Sequence, residues 1–264
     1  MCATCGCESD GHTIVHIHDH DSHHENNGHS HSHSLPIAIG THQKTVVEVE
    51  RDVLYQNNLL AERNRGYFEA KNILTLNLVS SPGSGKTTLL EKTLIHLKDQ
   101  LDFFVVEGDQ QTTHDADRIH ATGTKVVQIN TGKGCHLDAH MVLHALEGMK
   151  PTENSVLFIE NVGNLVCPAM FDLGEKERVV IMSVTEGDDK PLKYPDMFYS
   201  SSLCIINKID LLPYVSFDIE KTREYLHQVN HKLGIIEVSC TTGKGLEQWY
   251  DWLLFKRIHP ITVL

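Results

Sequence analysis

The stretch SSPGSGKTTLL, residues 80–90, decides the fold of this chain. It continues an apolar run, ILTLNLVS (73–80), and its Lys-Thr pair opens a helical pattern, so a strand, a glycine-rich turn and a helix come in succession. Gly83 and Gly85 allow backbone N–H groups to surround an anion without interference from a Cβ atom. An ordinary glycine turn before a helix is the alternative, but this context favours a phosphate-binding P-loop.

The P-loop predicts how a nucleotide and Mg²⁺ would bind. Lys86 is expected to reach the β- and γ-phosphates, the hydroxyl of Thr87 to bind Mg²⁺, and the helix N-terminus to favour the anion. Ser80 stands where the usual pattern begins with glycine, so the match is incomplete at one position. The predicted nucleotide contacts in this loop are Gly83, Ser84, Gly85, Lys86, Thr87 and Thr88.

Short β-rich runs alternate with helical patterns from residue 73 to the end of the chain. Most of the runs are apolar throughout, which is typical of parallel strands covered on both faces. The repetition of strand and helix predicts an α/β fold with a doubly wound, mostly parallel sheet. The predicted strands are 73–80, 102–109, 124–130, 155–162, 178–185, 202–208 and 234–240.

The sequence NKID, residues 207–210, predicts the base of the nucleotide. The carboxylate of Asp210 can accept hydrogen bonds from the ring N–H and the exocyclic amine of guanine, whereas adenine would present an acceptor to it. The later loop SCTTGKG (239–245) is suited to holding the guanine carbonyl. Together the two loops favour GTP over ATP and predict a P-loop GTPase domain. The predicted base-side contacts are Asn207, Lys208, Asp210, Ser239 and Cys240.

Acidic residues at strand ends are the expected Mg²⁺ ligands, since Mg²⁺ takes hard oxygen ligands. Asp109 is the first choice, because it ends a strand that we expect beside the P-loop strand, and Asp115 is the second. Asp117 is expected to be an exposed loop acid. No residue identifies itself as the group that positions the attacking water, so hydrolysis is inferred from the fold. The predicted catalytic residues are Lys86, Thr87, Asp109 and Glu160.

The composition of the chain divides it into three regions. Residues 1–35 carry too little apolar surface to offset the entropy of ordering, so we predict a metal-binding tail that is disordered without metal. Residues 36–70 are a linker and an amphipathic helix, because apolar residues recur at three- and four-residue spacing from about Val46 to Ala70. Residues 71–264 are the predicted GTPase domain.

Charge and cysteine content exclude several classes of protein. The formal net charge of the 264 residues is −12, which argues against nucleic acid as the main partner, because phosphate binding needs clustered Lys and Arg. Seven irregularly spaced cysteines are a poor disulfide framework and indicate a reducing compartment. Neither a signal peptide nor an apolar run of about 20 residues is apparent, so a cytoplasmic protein without a membrane segment is expected.

Cysteine and histidine also occur inside the nucleotide-binding region. The sequence TGKGCHLDAH places Cys135 next to His136, with His140 four residues further on, and Cys167 follows a strand that is expected to end near the γ-phosphate. Thiolate and imidazole together suit Zn²⁺ or Ni²⁺, but cysteine is also a common small buried residue, and the spacing leaves both interpretations open. The cysteines expected to be structural, because they lie in or at the end of apolar strands, are Cys204 and Cys240.

The first 34 residues are an anionic segment with five acidic residues, no lysine and no arginine. Cys2, Cys5 and Cys7 provide three thiolates within six residues, and the terminal amine can add a nitrogen donor. The alternatives for this segment are an expression tag and a solvating arm without a metal function. Acidic residues, serine and asparagine interrupt the histidines, which is not typical of a tag, and binding of a divalent transition metal is the better interpretation. The histidines are His12, His16, His18, His20, His23, His24, His29, His31 and His33.

These motifs together resemble those of the HypB family of hydrogenase nickel-incorporation GTPases, whose class includes the urease accessory GTPase and the signal-recognition particle GTPases. The resemblance covers the first seven residues and the chain from about residue 46 to the end. It is specific, because CATCGC and ENVGNLVCP have little other reason to occur together. The matching segments are CATCGC (2–7), SSPGSGKTTLL (80–90), EGDQQT (107–112), GKGCHLDA (132–139), ENVGNLVCP (160–168) and NKID (207–210).

The resemblance implies a nickel site at the N-terminus and a second, nucleotide-linked metal site near the face where two subunits meet. The implied ligands are Cys2, Cys5 and Cys7 for the first site and Cys135, His136 and Cys167 for the second. It also implies a GTP-bound homodimer that works with the metallochaperone HypA on the precursor of the [NiFe]-hydrogenase large subunit, with the histidine run as a nickel reserve. A urease-type nickel-delivery GTPase and a nickel storage or sequestration protein remain as alternatives.

Overall fold

A computed structural model describes residues 45–109 and 114–259 of the chain. The chain divides into two units at Val49, and the compact unit Glu50–Leu264 contains the sheet. The predicted metal-binding tail, with its three cysteines and nine histidines, and the linker before Thr45 lie outside the described residues. Within the described ranges, no helix is both long enough and apolar enough to span a bilayer.

The described chain contains a seven-stranded parallel sheet in the order β3-β2-β4-β1-β5-β6-β7. The strands are β1 (Leu74–Ser80), β2 (Phe103–Asp109), β3 (Lys125–Asn130), β4 (Val156–Glu160), β5 (Glu177–Ser183), β6 (Leu203–Asn207) and β7 (Gly234–Glu237). Each predicted run coincides with one strand, and the ends differ by at most three residues. The predicted parallel α/β sheet is therefore confirmed.

Helices cover both faces of the sheet. The α-helices are α1 (Val46–Ala70), α2 (Lys86–Leu97), α3 (His114–Ala121), α4 (Ala139–Met149), α5 (Cys167–Met170), α6 (Lys190–Lys193), α7 (Pro195–Tyr199), α8 (Ile219–Val229) and α9 (Leu246–Ile258), and a 3₁₀ helix occupies Ile209–Tyr214. Phe158 of β4 belongs to the apolar cluster that contains Trp249 of α9, whereas its neighbour Leu157 belongs to the cluster that contains Leu146 of α4. Because successive strand residues point to opposite faces, the sheet is doubly wound.

One expectation about the sheet is wrong. Strand β4, not β2, is hydrogen-bonded to the P-loop strand β1, so Asp109 at the end of β2 lies one strand further from the P-loop than expected. Glu160, the last residue of β4, is therefore the acidic strand end that lies next to β1. The sequence did not reveal this order, because apolar runs of similar length and composition do not identify their neighbours.

Helix α1 occupies Val46–Ala70, the range in which the sequence predicts an amphipathic helix. Its buried residues, Asn57, Ala61, Asn64 and Phe68, recur at three- and four-residue spacing and so share one face. Two of these four residues are asparagines, whose amide groups need hydrogen-bond partners when they are buried. The inner face of α1 is therefore partly polar.

Candidate functional site

The P-loop connects the end of β1 to the start of α2, as the sequence predicts. Gly83 and Gly85 have φ angles of 75° and 98°, which glycine adopts without the strain that a side chain would cause. A Cβ atom on Gly85 would also collide with the side-chain amide of Asn207. That amide donates to the carbonyl oxygen of Ser84 over 2.8 Å, so the end of β6 braces the curled backbone of the P-loop.

A cavity of about 530 Å³ opens over the P-loop. This volume lies within the range of about 300–1,000 Å³ that is usual for small-molecule sites. The predicted residues that line it are Gly83, Ser84, Gly85, Lys86, Thr87, Thr88, Asp109, Asp115, Glu160 and Lys208. Besides Ser80, which begins the quoted P-loop segment, three further polar residues line its wall that were not predicted, namely Glu107, Arg118 and Asn161. The phosphate-side and Mg²⁺-side residues thus converge on one cavity.

The NKID loop contacts the loop that follows β7. The hydroxyl of Ser239 donates to the carboxylate of Asp210 over 2.5 Å, and the N–H of Cys240 donates to the side-chain oxygen of Asn207 over 3.3 Å. Lys208 lines the cavity and donates from Nζ to the carbonyl oxygen of Gly83 in the P-loop over 2.6 Å. The other predicted base-side residues do not line the cavity; they are Asn207, Asp210, Ser239 and Cys240. Burial raises the pKa of Cys240 to about 11, so its thiol is neutral near pH 7.

Two buried carboxyl groups, those of Glu107 and Glu160, also line the cavity. Glu160 accepts a hydrogen bond from the Thr87 hydroxyl over 2.6 Å, and Nζ of Lys86 lies 3.9 Å from the same oxygen. Within the described part of the chain, the second oxygen of Glu160 and one oxygen of Glu107 have no hydrogen-bond partner. Buried carboxylates without partners are costly, and a hard divalent cation would satisfy them. The site therefore fits Mg²⁺, with Asp109 as a further oxygen donor in the cavity wall.

The pKa values of these carboxyl groups are raised. Burial raises the pKa of Glu107 to about 8, and the nearby carboxylates of Glu160, Asp109 and Asp115 contribute, while Lys86 opposes the rise. Burial also raises the pKa of Glu160, again against the effect of Lys86. The charge of Glu160 adds to the rise in the pKa of Glu107, and the charge of Asp115 adds to the rise in the pKa of Glu160, so ionisation of either carboxyl group is disfavoured. Cation binding is therefore expected to release protons.

Asp115, the second choice for an Mg²⁺ ligand, lies in the first turn of α3. Its carboxylate is 3.4 Å from Arg118, whose guanidinium also donates to Glu91 over 2.7 Å and to the Thr88 hydroxyl over 3.2 Å. Asp115 thus lines the cavity as one member of an ion-paired group. Asp117 is exposed, as predicted, but it belongs to helix α3 and not to a loop.

Glu107→Gln is expected to stabilise the ligand-free protein at pH 8. The folded protein holds a proton on Glu107 up to about pH 8, whereas an unfolded glutamate loses it near pH 4.5, so this group makes the free energy of unfolding fall as pH rises between those values. The amide cannot ionise, and we expect a gain of about 1–3 kcal/mol at pH 8 that vanishes near pH 4. Urea unfolding at several pH values without Mg²⁺ measures it.

Glu153→Gln is the matched control for this variant, because Glu153 is exposed on a turn. We expect its free energy of unfolding to follow that of the unaltered protein across the whole pH range. An equal change in stability at pH 4 and pH 8 for Glu107→Gln would contradict the explanation by protonation, because a change in packing does not depend on pH in this way.

A second cluster of functional side chains lies in the loops that follow β3 and β4. Sγ of Cys135 is 2.8 Å from Sγ of Cys167 and 3.6 Å from Nδ1 of His136, and the ligand atoms of all three residues lie within 4.8 Å of one another. Burial lowers the pKa of His136, which favours the neutral imidazole that metals bind. Its ring packs on Phe171, with 3.9 Å between centroids. His140 stands outside this group and pairs with the next histidine of α4 over 3.0 Å.

Hydrogen bonds connect this cluster to the wall of the nucleotide cavity. Asn161, which follows β4 and lines the cavity, accepts from the N–H of Leu137 over 3.1 Å. Asn164 donates to the carbonyl oxygen of Cys135 over 3.2 Å. The loop after β4 thus touches the cavity at its start, holds the Cys135 segment in its middle and carries Cys167 at its end.

The sequence contained a signal for two of the three unpredicted residues. Glu107 stands two residues before Asp109 on β2, and the two-residue period of a strand places both side chains on the same side of the sheet. Asn161 directly follows Glu160 in the segment ENVG. Arg118 carried no such signal, because its place in the cavity wall depends on how α3 packs beside α2.

The parallel sheet, the P-loop at the end of β1, the acidic strand ends and the NKID loop define a nucleotide-binding protein with the P-loop GTPase fold. The sequence-family model for the nucleotide-binding domain of the CobW/HypB/UreG family matches residues 74–237 of this chain. Hydrogenase maturation factor HypB of Escherichia coli strain K12 is 59% identical over 220 residues, which are 83% of this chain and 76% of that protein.

Two crystal structures are also similar to this chain. That of hydrogenase maturation factor HypB from Archaeoglobus fulgidus is 41% identical, with a TM-score of 0.73 over 77% of this chain and 99% of that one. The crystal structure of HypB from Helicobacter pylori in complex with nickel is 38% identical in sequence, with a TM-score of 0.73, and the match covers 79% of this chain and 98% of that one. The chain therefore belongs to the CobW/HypB/UreG family and, within it, to the hydrogenase maturation factors HypB.

Proposed function

We propose that this protein is a GTP-hydrolysing nickel metallochaperone that supports insertion of nickel into the [NiFe]-hydrogenase large subunit. The observation that carries the proposal is the shared loop: Asn161 lines the nucleotide cavity and also holds the backbone next to Cys135 and His136. Two sites that share a loop can change each other's affinities. The names of the relatives, which are hydrogenase maturation factors, support the same conclusion.

GTP is the proposed substrate of the larger cavity, with Mg²⁺ as its cofactor. Thr87 and Glu160, together with the acidic end of β2, would hold Mg²⁺, which would neutralise charge on the phosphate oxygens. Lys86 is largely buried beside Glu160 and is the P-loop cation proposed to reach the γ-phosphate. Asp210, oriented by the Ser239 hydroxyl, would accept from guanine. These side chains bind and orient the nucleotide, and none of them is proposed as the base that activates water.

Ni²⁺ is the proposed cargo of the cluster at Cys135, His136 and Cys167, with Zn²⁺ as the other ion that the site could take. Two thiols and a neutral imidazole are a soft-to-intermediate donor set that suits both ions. The Helicobacter pylori relative was crystallised with nickel, which supports nickel here. The N-terminal cysteines at positions 2, 5 and 7 are proposed as a separate nickel site, and the histidine run as a reserve.

The coupling between the two sites is proposed to be a switch. The γ-phosphate would hold the loops after β2 and β4 in one arrangement, and its loss would release them. Cys167 lies seven residues past Glu160 on the same loop, so release would alter the ligand geometry around the ion. A ligand set that is altered in this way loses affinity, and the ion passes to an acceptor. The same coupling requires bound nickel to change the affinity for nucleotide.

Three partners are proposed: the metallochaperone HypA, the precursor of the [NiFe]-hydrogenase large subunit, and a second copy of this chain in the GTP state. Urease-type nickel delivery and nickel storage are the alternative functions. If the protein is a store, deletion of residues 8–34 impairs growth in excess nickel. If it delivers nickel, replacement of Cys2, Cys5 and Cys7 abolishes hydrogenase activity at low nickel.

Cys167→Ala is expected to weaken nickel binding at the cluster by about 100-fold, because it removes a ligand, and even groups outside a ligand set contribute about 10–100-fold. It is also expected to abolish any difference in nickel affinity between the GDP state and the state with a non-hydrolysable GTP analogue. The measurement uses the full chain under reducing conditions with Cys2, Cys5 and Cys7 changed to serine. Thiolate-to-nickel absorption then reports the cluster and not the tail.

Val166→Ala is the control, because Val166 is the exposed neighbour of Cys167 on the same loop. It should bind nickel as the parent chain does in both nucleotide states. Equal nickel affinities of the parent chain with GDP and with the GTP analogue would exclude direct gating of the metal by nucleotide. The tail would then act as a store, and GTP would control the docking of partners.

A further inference from the structure

Helix α1 is joined to both ligand-bearing segments of the cluster by its two buried asparagines. Asn57 donates from Nδ2 to the carbonyl oxygen of Asp172 over 2.8 Å and accepts from the N–H of Ala139 over 2.9 Å. Asn64 donates from Nδ2 to the carbonyl oxygens of Ala139 and Leu173 over 2.9 and 3.1 Å. Each asparagine therefore bridges the segment after the ligand histidine to the segment after the second ligand cysteine.

The contact between α1 and the second segment is close and buried. Asn57 and Asn64 are 6% and 0% exposed, so a backbone group that lost its amide partner here would be left unpaired in a buried place, which is costly. A Cβ atom on Gly174 would approach the carbonyl oxygen of Ala61 to 2.6 Å, which means that only glycine permits this approach. Arg65 adds a 2.5 Å ion pair with Asp172. The helix and the two segments are therefore expected to move together.

We infer that Asn57 and Asn64 are positioning residues of the metal cluster: they fix the separation of its two ligand-bearing segments. The inference rests on the proposed function, in which the cluster binds nickel. Cys135 and Cys167 are 32 residues apart in the chain and follow different strands, so the distance between their thiols depends on contacts between segments that are distant in sequence. The asparagines act on both segments at once, three residues after His136 and five to six residues after Cys167.

Two groups of hydrogen bonds hold the Cys135 segment. The loop after β4 holds the Cys135 segment from the nucleotide side, through Asn161 and Asn164. Helix α1 holds the same segment through Asn57 and Asn64, which contact Ala139, two residues after Leu137. Hydrogen bonds of this kind, made by groups that do not touch the ion, keep ligands oriented and contribute about 10–100-fold to metal affinity. The simpler alternative is that the asparagines only attach α1 to the protein, and the two possibilities differ in their effect on metal binding.

The test compares Asn57→Leu and Asn64→Leu with Asn58→Leu, all in the full chain whose three tail cysteines are serine, under reducing conditions. Leucine removes the amide while keeping the same branched arrangement of heavy atoms, and its higher helix propensity does not weaken the helix. Asn58 is the exposed neighbour of Asn57 on the same helix. Nickel affinity is read from thiolate-to-nickel absorption, and the affinity for GDP reports whether the nucleotide domain is intact. We expect nickel affinity to fall about 10–100-fold in the first two variants and to be unchanged in the third, with GDP affinity unchanged in all three.

Two results would overturn the inference. If Asn57→Leu and Asn64→Leu bind nickel within about twofold of Asn58→Leu while Cys167→Ala does not, the cluster binds metal but the asparagines only attach the helix. If Cys167→Ala also binds normally, the proposed metal site itself is wrong.

If a leucine variant loses GDP binding, Asn57→Asp replaces it in the test. This variant keeps the acceptor for the N–H of Ala139 but loses the donor to the carbonyl oxygen of Asp172. Weaker nickel binding with normal GDP binding would support the inference, and normal nickel binding would reject it.

Discussion

Asp210→Asn is expected to change the base preference of the protein from GTP to XTP by about 10³-fold or more. The Ser239 hydroxyl fixes the Asp210 carboxylate by a 2.5 Å hydrogen bond, and the carboxylate can accept from both the ring N–H and the exocyclic amine of guanine. The amide of asparagine would instead place a donor against that amine. Xanthine has a carbonyl group at this position, which accepts from the amide. A donor that faces a donor is penalised more than a contact that is merely absent.

Competition between GTP and XTP for binding, followed by hydrolysis rates with each nucleotide, measures this change. Asp251→Asn is the control, since Asp251 is exposed on α9 and the substitution makes the same change of charge. We expect it to keep the preference for GTP. If Asp210→Asn binds GTP as tightly as the unaltered chain, the NKID loop does not select the base, and the assignment of GTP as the substrate loses its main support.

Lys86→Met is expected to slow GTP hydrolysis by about 10²–10³-fold, the usual effect of removing one group that stabilises charge in the transition state. Methionine keeps an unbranched side chain but removes the ammonium group. The side chain of Lys86 is 11% exposed, and its Nζ lies 3.9 Å from a carboxylate oxygen of Glu160. A second effect follows from the loss of this charge. Lys86 lowers the pKa of both Glu107 and Glu160, so both carboxyl groups should hold their protons to higher pH in the variant, and Mg²⁺ binding should shift to higher pH.

Phosphate release under saturating GTP and Mg²⁺, measured between about pH 6 and pH 9, tests both effects. Lys98→Met is the control, because Lys98 is an exposed lysine at the far end of α2, and it should hydrolyse GTP normally. Hydrolysis by Lys86→Met at the rate of the control would show that the P-loop lysine does not serve the γ-phosphate in this protein. The Mg²⁺ dependence is recorded on the same samples, so that weakened cation binding is separated from slower chemistry.

The elements and the main motifs of the fold could be predicted from the sequence because they depend on local patterns. Each of the seven apolar runs forms one strand, and the amphipathic pattern from Val46 to Ala70 forms α1. The P-loop was recognisable because its glycines, its lysine and its threonine lie within a few residues of one another. The resemblance to the HypB family rested on similarly local segments, and the comparisons confirm it.

The acidic end of the site was predicted less well, because its composition depends on strand order. Asp109 was expected beside the P-loop strand, but β4 lies between them, and Glu160 is the residue that accepts from Thr87. Glu107 was missed although it shares a side of the sheet with Asp109. A run of apolar residues indicates a strand but not which strand pairs with it, so the distances between strand ends could not be predicted.

The sequence by itself determined the kind of domain, the position of its phosphate-binding and base-reading loops, and the residue types available for metal. Only the tertiary structure decided which of these residues meet. Cys135 and Cys167 lie 32 residues apart in the chain, yet their sulfur atoms are 2.8 Å apart, and two asparagines of α1 reach both segments from a distant part of the chain. The physical reason is that backbone conformation follows from neighbouring residues, whereas a site made from several loops follows from how strands pair and helices pack.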